Sequence, residues 1–257
     1  MERVVKPFVR DFHYRRVCEI GASYGGATDL ICTVPEVNLV VIDPCIDADL
    51  CEKFRDEPNI KVCQGLSLQV LPQLAGEFDC FLIDGDHNWY TVFNELETIH
   101  RRGLLKEGGA IFLHDVGWPY GRRDMYYQPQ TIPQPFLRPY ATAGIVYGKK
   151  RLSSSEGVNA EFFNAEEEGG QRNGVLTAVE DFIKQEPNKY SFFRFRDECG
   201  LGLLLKGDDA MPRTVVFKWR LICILVNLLP PAKSVLKHRF PALHRMLRMG
   251  VVGNGRA

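Results

Sequence analysis

The sequence predicts an α/β protein built on a doubly wound, mostly parallel sheet, and three observations predict it. Short apolar runs alternate with helix-length polar–apolar stretches from residue 16 to residue 116. The apolar residues within each run are consecutive, as in strands covered on both faces; a half-exposed strand would alternate. Glycines and acids gather where those runs end, and ligands of open α/β sheets bind outside the carboxyl ends of strands.

The first five strands are expected at 16–22 (RVCEIGA), 39–44 (LVVIDP), 60–65 (IKVCQG), 78–86 (FDCFLIDGD) and 109–116 (GAIFLHDV). The stretches 26–32, 47–56, 66–74 and 89–105 are long enough for crossover helices between them. Residues 117–170 change texture: Trp118, Tyr120, Tyr126, Tyr127, Tyr140 and Tyr147 accompany five prolines and the acidic run 166–168. Linkers are poor in aromatics, so this is expected to be an ordered insertion, a lid crossing the mouth of the site. Within it two readings stand side by side: Arg122 and Arg123 meet a negative group on the substrate, or the lid packs on itself and only excludes water. A helix at 174–185 follows, then a closing strand pair at 191–195 and 201–206 around Gly200, which brings the strands to seven. The folded domain is expected to occupy residues 1–209 and a C-terminal extension residues 210–257.

Of the 257 residues 45% are apolar and 25% charged, which excludes collagen-like, disordered and low-complexity classes. The net charge of zero hides an asymmetry. Up to Asp209 there are 23 basic residues against 32 acidic ones; beyond it there are nine basic residues and no acid. In that extension, 215–229 is apolar but shorter than the ~20 residues of a membrane span, and 235–249 alternates basic and apolar residues at helical spacing. It is expected to lie on an anionic membrane surface, or to dock on a second subunit or on the acidic body. Nucleic acid is not an expected partner of an acidic body without a recognition motif. Eight cysteines show no CxxC spacing, Cys18, Cys63 and Cys80 read as buried small hydrophobes, and no signal-peptide core is visible. A cytoplasmic setting is expected.

The segment Glu19-Ile-Gly21-Ala-Ser23-Tyr-Gly25-Gly26 joins the first strand to the first helix. A sharp turn that lets a ligand approach the backbone calls for glycine. The spacing is GxxxGG, poor for the pyrophosphate cradle that GxGxxG makes. Asp43 ends the second strand, where an acid can accept both hydroxyls of a ribose. Loop and acid together specify an adenosine-type ligand.

On these residues, with the Gly65-Leu66-Ser67 turn and the closing strand pair, the chain resembles the class I S-adenosylmethionine-dependent methyltransferases over about residues 15–206. The resemblance implies an antiparallel last strand. It also implies that Glu19, Gly21, Ser23 and Gly25 surround the methionine part of S-adenosylmethionine, that Asp43 holds its ribose, and that Gln64 to Ser67 line its adenine. Leu66 departs from the pattern, since many relatives carry an acid or amide there.

Asp84-Gly-Asp86-His87 and His114-Asp115 end the fourth and fifth strands, which are neighbours in the expected order. Their side chains are therefore expected beside the transferred methyl group. Asp86 is expected to cap the following helix or to hold a turn, with a functional role as the alternative. The D-G-D-H-x-x-Y and H-D segments resemble small-molecule O-methyltransferases of the macrocin-type sugar and catechol-methylating kinds, in which acids after these two strands hold Mg²⁺. By that likeness Asp84 and Asp115 would be metal ligands, with Asp84 also beside the cofactor. His114 replaces one acid of the metal pair, and imidazole is a poor magnesium ligand. The alternative is that His87 or His114 takes the acceptor's proton as general base. Either way Asp84, His87, His114 and Asp115 are the expected catalytic residues, and the acceptor a hydroxyl of a small sugar or ring compound. A nicotinamide-dependent oxidoreductase would need GxGxxG and a second mononucleotide half; a non-catalytic cofactor-binding scaffold would leave the two strand-end clusters without a purpose.

Overall fold

The computed structural model describes residues 4–46, 48–195 and 199–207, with 219, 221 and 222 of the extension. A short helix not expected from the sequence, α1 (Val5–Asp11), comes first. Then β1 (Arg16–Ile20), α2 (Gly26–Cys32), β2 (Asn38–Asp43), α3 (Ala48–Phe54), β3 (Ile60–Gln64), α4 (Ser67–Val70), β4 (Phe78–Ile83), α5 (Trp89–Arg101) and β5 (Leu105–Leu113) alternate as expected. The lid contributes β6 (Met125–Tyr126), β7 (Tyr140–Thr142) and β8 (Phe163–Ala165), and the chain returns through α6 (Val175–Gln185), β9 (Tyr190–Phe195) and β10 (Leu201–Lys206).

Three boundaries differ from expectation for local reasons. The fourth helix shrinks to one turn followed by a 3₁₀ turn at Leu71–Gln73, because Pro72 lacks the N–H an α-helix would use. Helix α5 stops at Arg101, and Gly103 (φ 62°) turns the chain back in the left-handed conformation that suits glycine. Strand β5 begins four residues early, and a register shift opposite Phe78–Cys80 absorbs Gly108 (φ 75°).

The main sheet has the order β3-β2-β1-β4-β5-β10-β9. Neighbours from β3 to β5 pair in parallel, and β10 is antiparallel to both β5 and β9. The order reverses between β1 and β4, which opens a crevice at their carboxyl ends. Successive strand residues feed opposite cores. Val17, Leu82, Phe112 and Leu203 pack with Phe8 and Ile31 on the α1–α2 side; Cys18, Phe81, Ile111 and Leu204 pack with Leu96, Ile99 and Phe182 on the α5–α6 side. Both faces are covered, which is why the strands read as unbroken apolar runs.

The lid is a three-stranded antiparallel sheet, order β6-β8-β7. Asp124 pins it to the body: its carboxylate accepts hydrogen bonds from the Trp89 N–H (2.7 Å), the Gly174 N–H (2.6 Å) and the Tyr126 hydroxyl (2.9 Å). Of the two readings of the lid, the one in which its arginines meet the substrate is overturned, and the one in which it packs on itself fits. Arg122 forks onto Glu180 (2.7 and 2.6 Å), and Arg123 is fully buried, donating to the carbonyls of Ala165 and Lys150. Both are committed to holding the lid together, and neither meets the cavity.

The extension 210–257 lies outside the described residues except at three positions. Trp219 is 4% exposed with its ring 4.9 Å from that of Phe8, and Ile222 packs on the same cluster. No helix among the described residues is long and apolar enough to cross a membrane.

Candidate active site

The loop after β1 takes left-handed backbone at Gly21 (φ 86°), Ser23 (φ 49°) and Gly25 (φ 79°). A Cβ on Gly21 would stand 2.4 Å from the Asp84 carbonyl oxygen and from the Gly85 Cα. Glycine is thus required for β1 and β4 to close on one another, a packing reason beyond the ligand approach expected from sequence. Asp43, buried at the end of β2, ties this loop down. Its Oδ2 accepts from the N–H groups of Ala22 (2.8 Å) and Ser23 (3.0 Å), and its Oδ1 from Cys45 (2.7 Å).

A cavity of about 640 Å³ opens beside the loop, within the range of small-molecule sites. Gly21, Ser23 and Asp43 form one end, Leu66 and Ser67 the floor, and Asp84, Asp86 and Thr91 the opposite wall. The lid closes over it with Tyr127, Gln128, Thr131 and Ile132, and Tyr24 stands 89% exposed at the mouth. Of the expected cofactor residues, Gly21, Ser23, Asp43, Ser67 and Asp84 line this cavity, and Glu19, Gly25 and Gln64 do not. Glu19 turns inward to accept a hydrogen bond from Thr28 Oγ1 (2.6 Å), and burial pushes its carboxyl up to about 7. Gly25 precedes α2 as its N-cap, and the exposed Gln64 donates to the Pro44 carbonyl (3.4 Å). Of these lid residues Tyr127 belongs to the aromatic stretch expected to cross the mouth, whereas Gln128, Thr131 and Ile132 carry no signal of their own in the sequence. Tyr90 and Thr91 also line the cavity, the first of them the tyrosine of D-G-D-H-x-x-Y.

Strand pairing assembles the acid and histidine cluster. Ile83 of β4 faces Leu113 of β5, and the His114 N–H bonds the Ile83 carbonyl (3.0 Å), so Asp84 and His114-Asp115 emerge together. His114 Nδ1 lies 3.1 Å from Asp84 Oδ1 and 3.3 Å from Asp115 Oδ2; His87 Nδ1 lies 3.1 Å from the same Asp115 oxygen. The His87 ring stacks on Tyr120 at 5.5 Å and stands 5.9 Å from Tyr127. Asp115 holds left-handed backbone (φ 58°), a strain of order 1 kcal/mol that the paired imidazoles offset. His87, His114 and Asp115 stand one layer behind the lining, reached through Asp84 and Tyr127.

Burial opposes a charge on His114, but hydrogen bonds to Asp115 and Asp84 outweigh it and push its pKa up to about 10. His114 is therefore a cation at neutral pH. Burial likewise works against the Asp115 carboxylate, and the neighbouring His87 and His114 more than compensate, holding its pKa below the usual value. His87 Nε2 has no hydrogen bond among the described residues. Asp86 is not the helix cap: Asn88 caps α5, its Oδ1 accepting from the Thr91 N–H (2.8 Å), while Asp86 Oδ2 accepts from Thr91 Oγ1 (2.9 Å) on the cavity wall.

Asp84, His87 and Asp115 each bring a donor atom within 4.8 Å of the others. This set does not suit Mg²⁺, which prefers octahedral oxygen ligands, because one of the three donors is an imidazole. The two carboxylates are moreover already engaged, Asp84 by His114 Nδ1 and Asp115 by the Nδ1 atoms of both His114 and His87.

Residues 18–116, from β1 to just past β5, match the family model of a methyltransferase domain. No curated protein sequence matches the chain. Among solved structures the fold is similar to the O-methyltransferase of Bacillus cereus in complex with SAH (14% identity, 80% of each chain covered, TM-score 0.50). It is equally similar to the O-methyltransferase TomG from Streptomyces achromogenes in complex with SAM, involved in tomaymycin synthesis (14% identity, 80% of this chain and 78% of that one, TM-score 0.50). The SAH-bound Podospora anserina methyltransferase PaMTH1 is a third such structure (17% identity, 78% and 75% covered, TM-score 0.50). At these identities the likeness is one of fold.

Proposed function

We propose that this chain is a class I methyltransferase that moves the methyl group of S-adenosylmethionine to a hydroxyl of a small sugar or ring compound; the family model over residues 18–116 and the sheet order support the reading. One observation carries the reading: a single cavity runs from the Asp43-clamped glycine loop to Asp84, the outermost member of the cluster. A cofactor seated at the loop would present its sulfonium methyl toward that cluster. O-methyltransferases among the similar structures support oxygen as the acceptor atom.

The acceptor hydroxyl enters between Asp84 and Tyr127. His87, behind the lining, takes its proton on Nε2 through one bridging water, because Nδ1 faces Asp115, which holds the ring in that orientation and stabilises the imidazolium formed. His114, already a cation, cannot serve as the base; it fixes Asp84 and Asp115 in place. The oxygen attacks the methyl carbon in line with the carbon–sulfur bond, whose electrons pass to sulfur. Methyl ether and S-adenosylhomocysteine leave. Among the described residues no basic side chain lines the cavity, which favours uncharged acceptors over anionic ones.

Isothermal calorimetry with S-adenosylmethionine and S-adenosylhomocysteine tests the cofactor, and methyl transfer to a panel of catechols, flavonoids and sugars tests the acceptor. Failure to bind either cofactor form would overturn the reading.

A further inference from the structure

An imidazole held at one nitrogen is not yet aimed. The contact of His87 Nδ1 with Asp115 Oδ2 (3.1 Å) fixes one corner of the ring, and nothing in that contact decides where Nε2 points, because the ring plane can still turn about it. A second constraint is needed, and the structure supplies one on the ring face. Tyr120, in the turn after β5, is 4% exposed and lies nearly parallel to the His87 ring, with centroids 5.5 Å and planes 13° apart. Aromatic rings at this separation attract one another. Tyr120 is itself held at both ends. Its carbonyl accepts from the Val175 N–H (3.0 Å) at the start of α6, and its hydroxyl accepts from Asn159 Nδ2 (2.7 Å). Asn159 belongs to the lid: it takes left-handed backbone (φ 58°), which asparagine tolerates, and its carbonyl accepts from Asn164 Nδ2 of β8 (2.7 Å). Burial pushes the Tyr120 phenol above its ordinary range, so it stays neutral and does not compete for the acceptor's proton.

We infer that Tyr120 is a positioning residue for the His87 base and that Asn159 couples it to the lid: the Asp115 carboxylate sets one ring nitrogen, the Tyr120 face sets the ring plane, and together they aim Nε2 at the water that brings the acceptor's proton. The lid grips the same histidine through its backbone, since the Met125 N–H bonds the His87 carbonyl (3.1 Å). Ring and main chain of the base are thus both set by elements of 117–170, and the base is assembled only where the lid is in place. Aim matters because a displacement of about 1 Å can cost a hundredfold in rate. Tyr120 also packs in the small lid core with Met125 and Ile145, and that role alone predicts lost stability without lost aim. The inference rests on the reading of His87 as the base and adds to it two residues, neither of which lines the cavity.

Nitrogen-15 NMR of the histidine rings tests the aim with no acceptor present, the His87 signals being those that vanish in His87→Ala. On the alkaline side of its titration the wild-type ring is expected to hold one tautomer, with the proton on Nδ1 toward Asp115 and Nε2 bare. Tyr120→Leu should mix the tautomers and move both nitrogen signals toward their average. Tyr120→Phe, which keeps the ring face, should leave them in place, and Asn159→Ala should move them in the same direction by less. With the acceptor that the panel identifies, Tyr120→Leu should lower kcat by about tenfold or more with little change in KM, and should add little in the His87→Ala background. A purely structural role would lower the urea midpoint of Tyr120→Leu and leave the nitrogen signals where they are. Unmoved signals in folded Tyr120→Leu or in Asn159→Ala, or a wild-type ring already averaged between tautomers, overturn the inference. Should Tyr120→Leu fail to fold, Asn159→Ala decides alone. Full turnover in His87→Ala overturns the reading of the base itself.

Discussion

His87 Nδ1 and Asp115 Oδ2 stand 3.1 Å apart, although one residue follows β4 and the other β5. Parallel pairing of the two strands makes the contact, and it commits one imidazole nitrogen so that the other is left for a proton. General-base catalysis contributes about a hundred- to ten-thousandfold. Asp115→Asn and His87→Ala are each expected to lower kcat by that order while the calorimetric affinity for S-adenosylmethionine changes little. Because the two act as a unit, the double variant should lose little beyond either single one. Full turnover in His87→Ala would remove the base from the mechanism.

If the histidine is the base, chelation should be harmless. Activity is expected to persist in excess EDTA and not to rise on adding Mg²⁺. Loss in EDTA with recovery on Mg²⁺ or Mn²⁺ would return Asp84 and Asp115 to the role of metal ligands that the sequence resemblance implies.

Most of this site was legible in the sequence because it depends on strand ends. A parallel strand buried on both faces announces itself as a consecutive apolar run, and whatever polar residue closes the run must sit at the crevice; Asp43, Asp84 and His114-Asp115 follow from that alone. What the sequence could not supply was direction. Glu19 and Asp43 both border the glycine loop, yet one turns inward to Thr28 and the other lines the cavity. Arg122 and Arg123 lie in the stretch that crosses the mouth, and their partners, Glu180 and the carbonyls of Ala165 and Lys150, are far along the chain. Contacts of long sequence separation leave no local periodicity to read, and the small lid sheet was invisible for the same reason.

Asp43 holds three backbone N–H groups of and beside the glycine loop, so its loss acts twice. On the proposed reading it removes an acceptor for the ribose, and it frees the loop that shapes the pocket. Asp43→Ala is expected to weaken S-adenosylmethionine by about ten- to a hundredfold, equivalent to roughly 1.5–3 kcal/mol for hydrogen bonds to a charged group. Unchanged affinity in a folded variant would place the ribose elsewhere.

Burial pushes the Glu95 carboxyl up to about 8 in the folded chain, from an ordinary value of 4.5. Below pH 4.5 both folded and unfolded chains keep this proton, and the group adds no pH dependence. Between 4.5 and about 8 the unfolded chain releases it first, so stability falls as pH rises; above 8 the loss is complete. The wild type is expected to lose on the order of a few kcal/mol across this window relative to Glu95→Gln, whose buried amide does not titrate. Urea midpoints of the two proteins, measured from pH 4 to pH 9, should separate steadily and then run parallel. Parallel curves throughout would mean that Glu95 is not buried as described.

The extension divides into a part that belongs to the body and a part that the sequence assigns to a partner. Trp219, buried against Phe8, ties the nearer part to α1 even though the sheet is complete at Lys206. Truncation after Asp209 should therefore lower stability by about 3–5 kcal/mol, the usual effect of removing a buried tryptophan, and Trp219→Ala should do the same. Truncation after Pro231 keeps Trp219 and removes six of the nine basic residues of the extension, so it should leave the urea midpoint unchanged. Each basic residue at an anionic surface contributes on the order of 1 kcal/mol, screened within a Debye length. If the farther part lies on membrane, the full chain should co-sediment with phosphatidylserine-containing vesicles and not with phosphatidylcholine alone, less so as salt rises, and the Pro231 truncation should stay in solution. If the full chain ignores both vesicles and the Pro231 truncation instead turns a dimer into a monomer, the basic segment is a subunit interface.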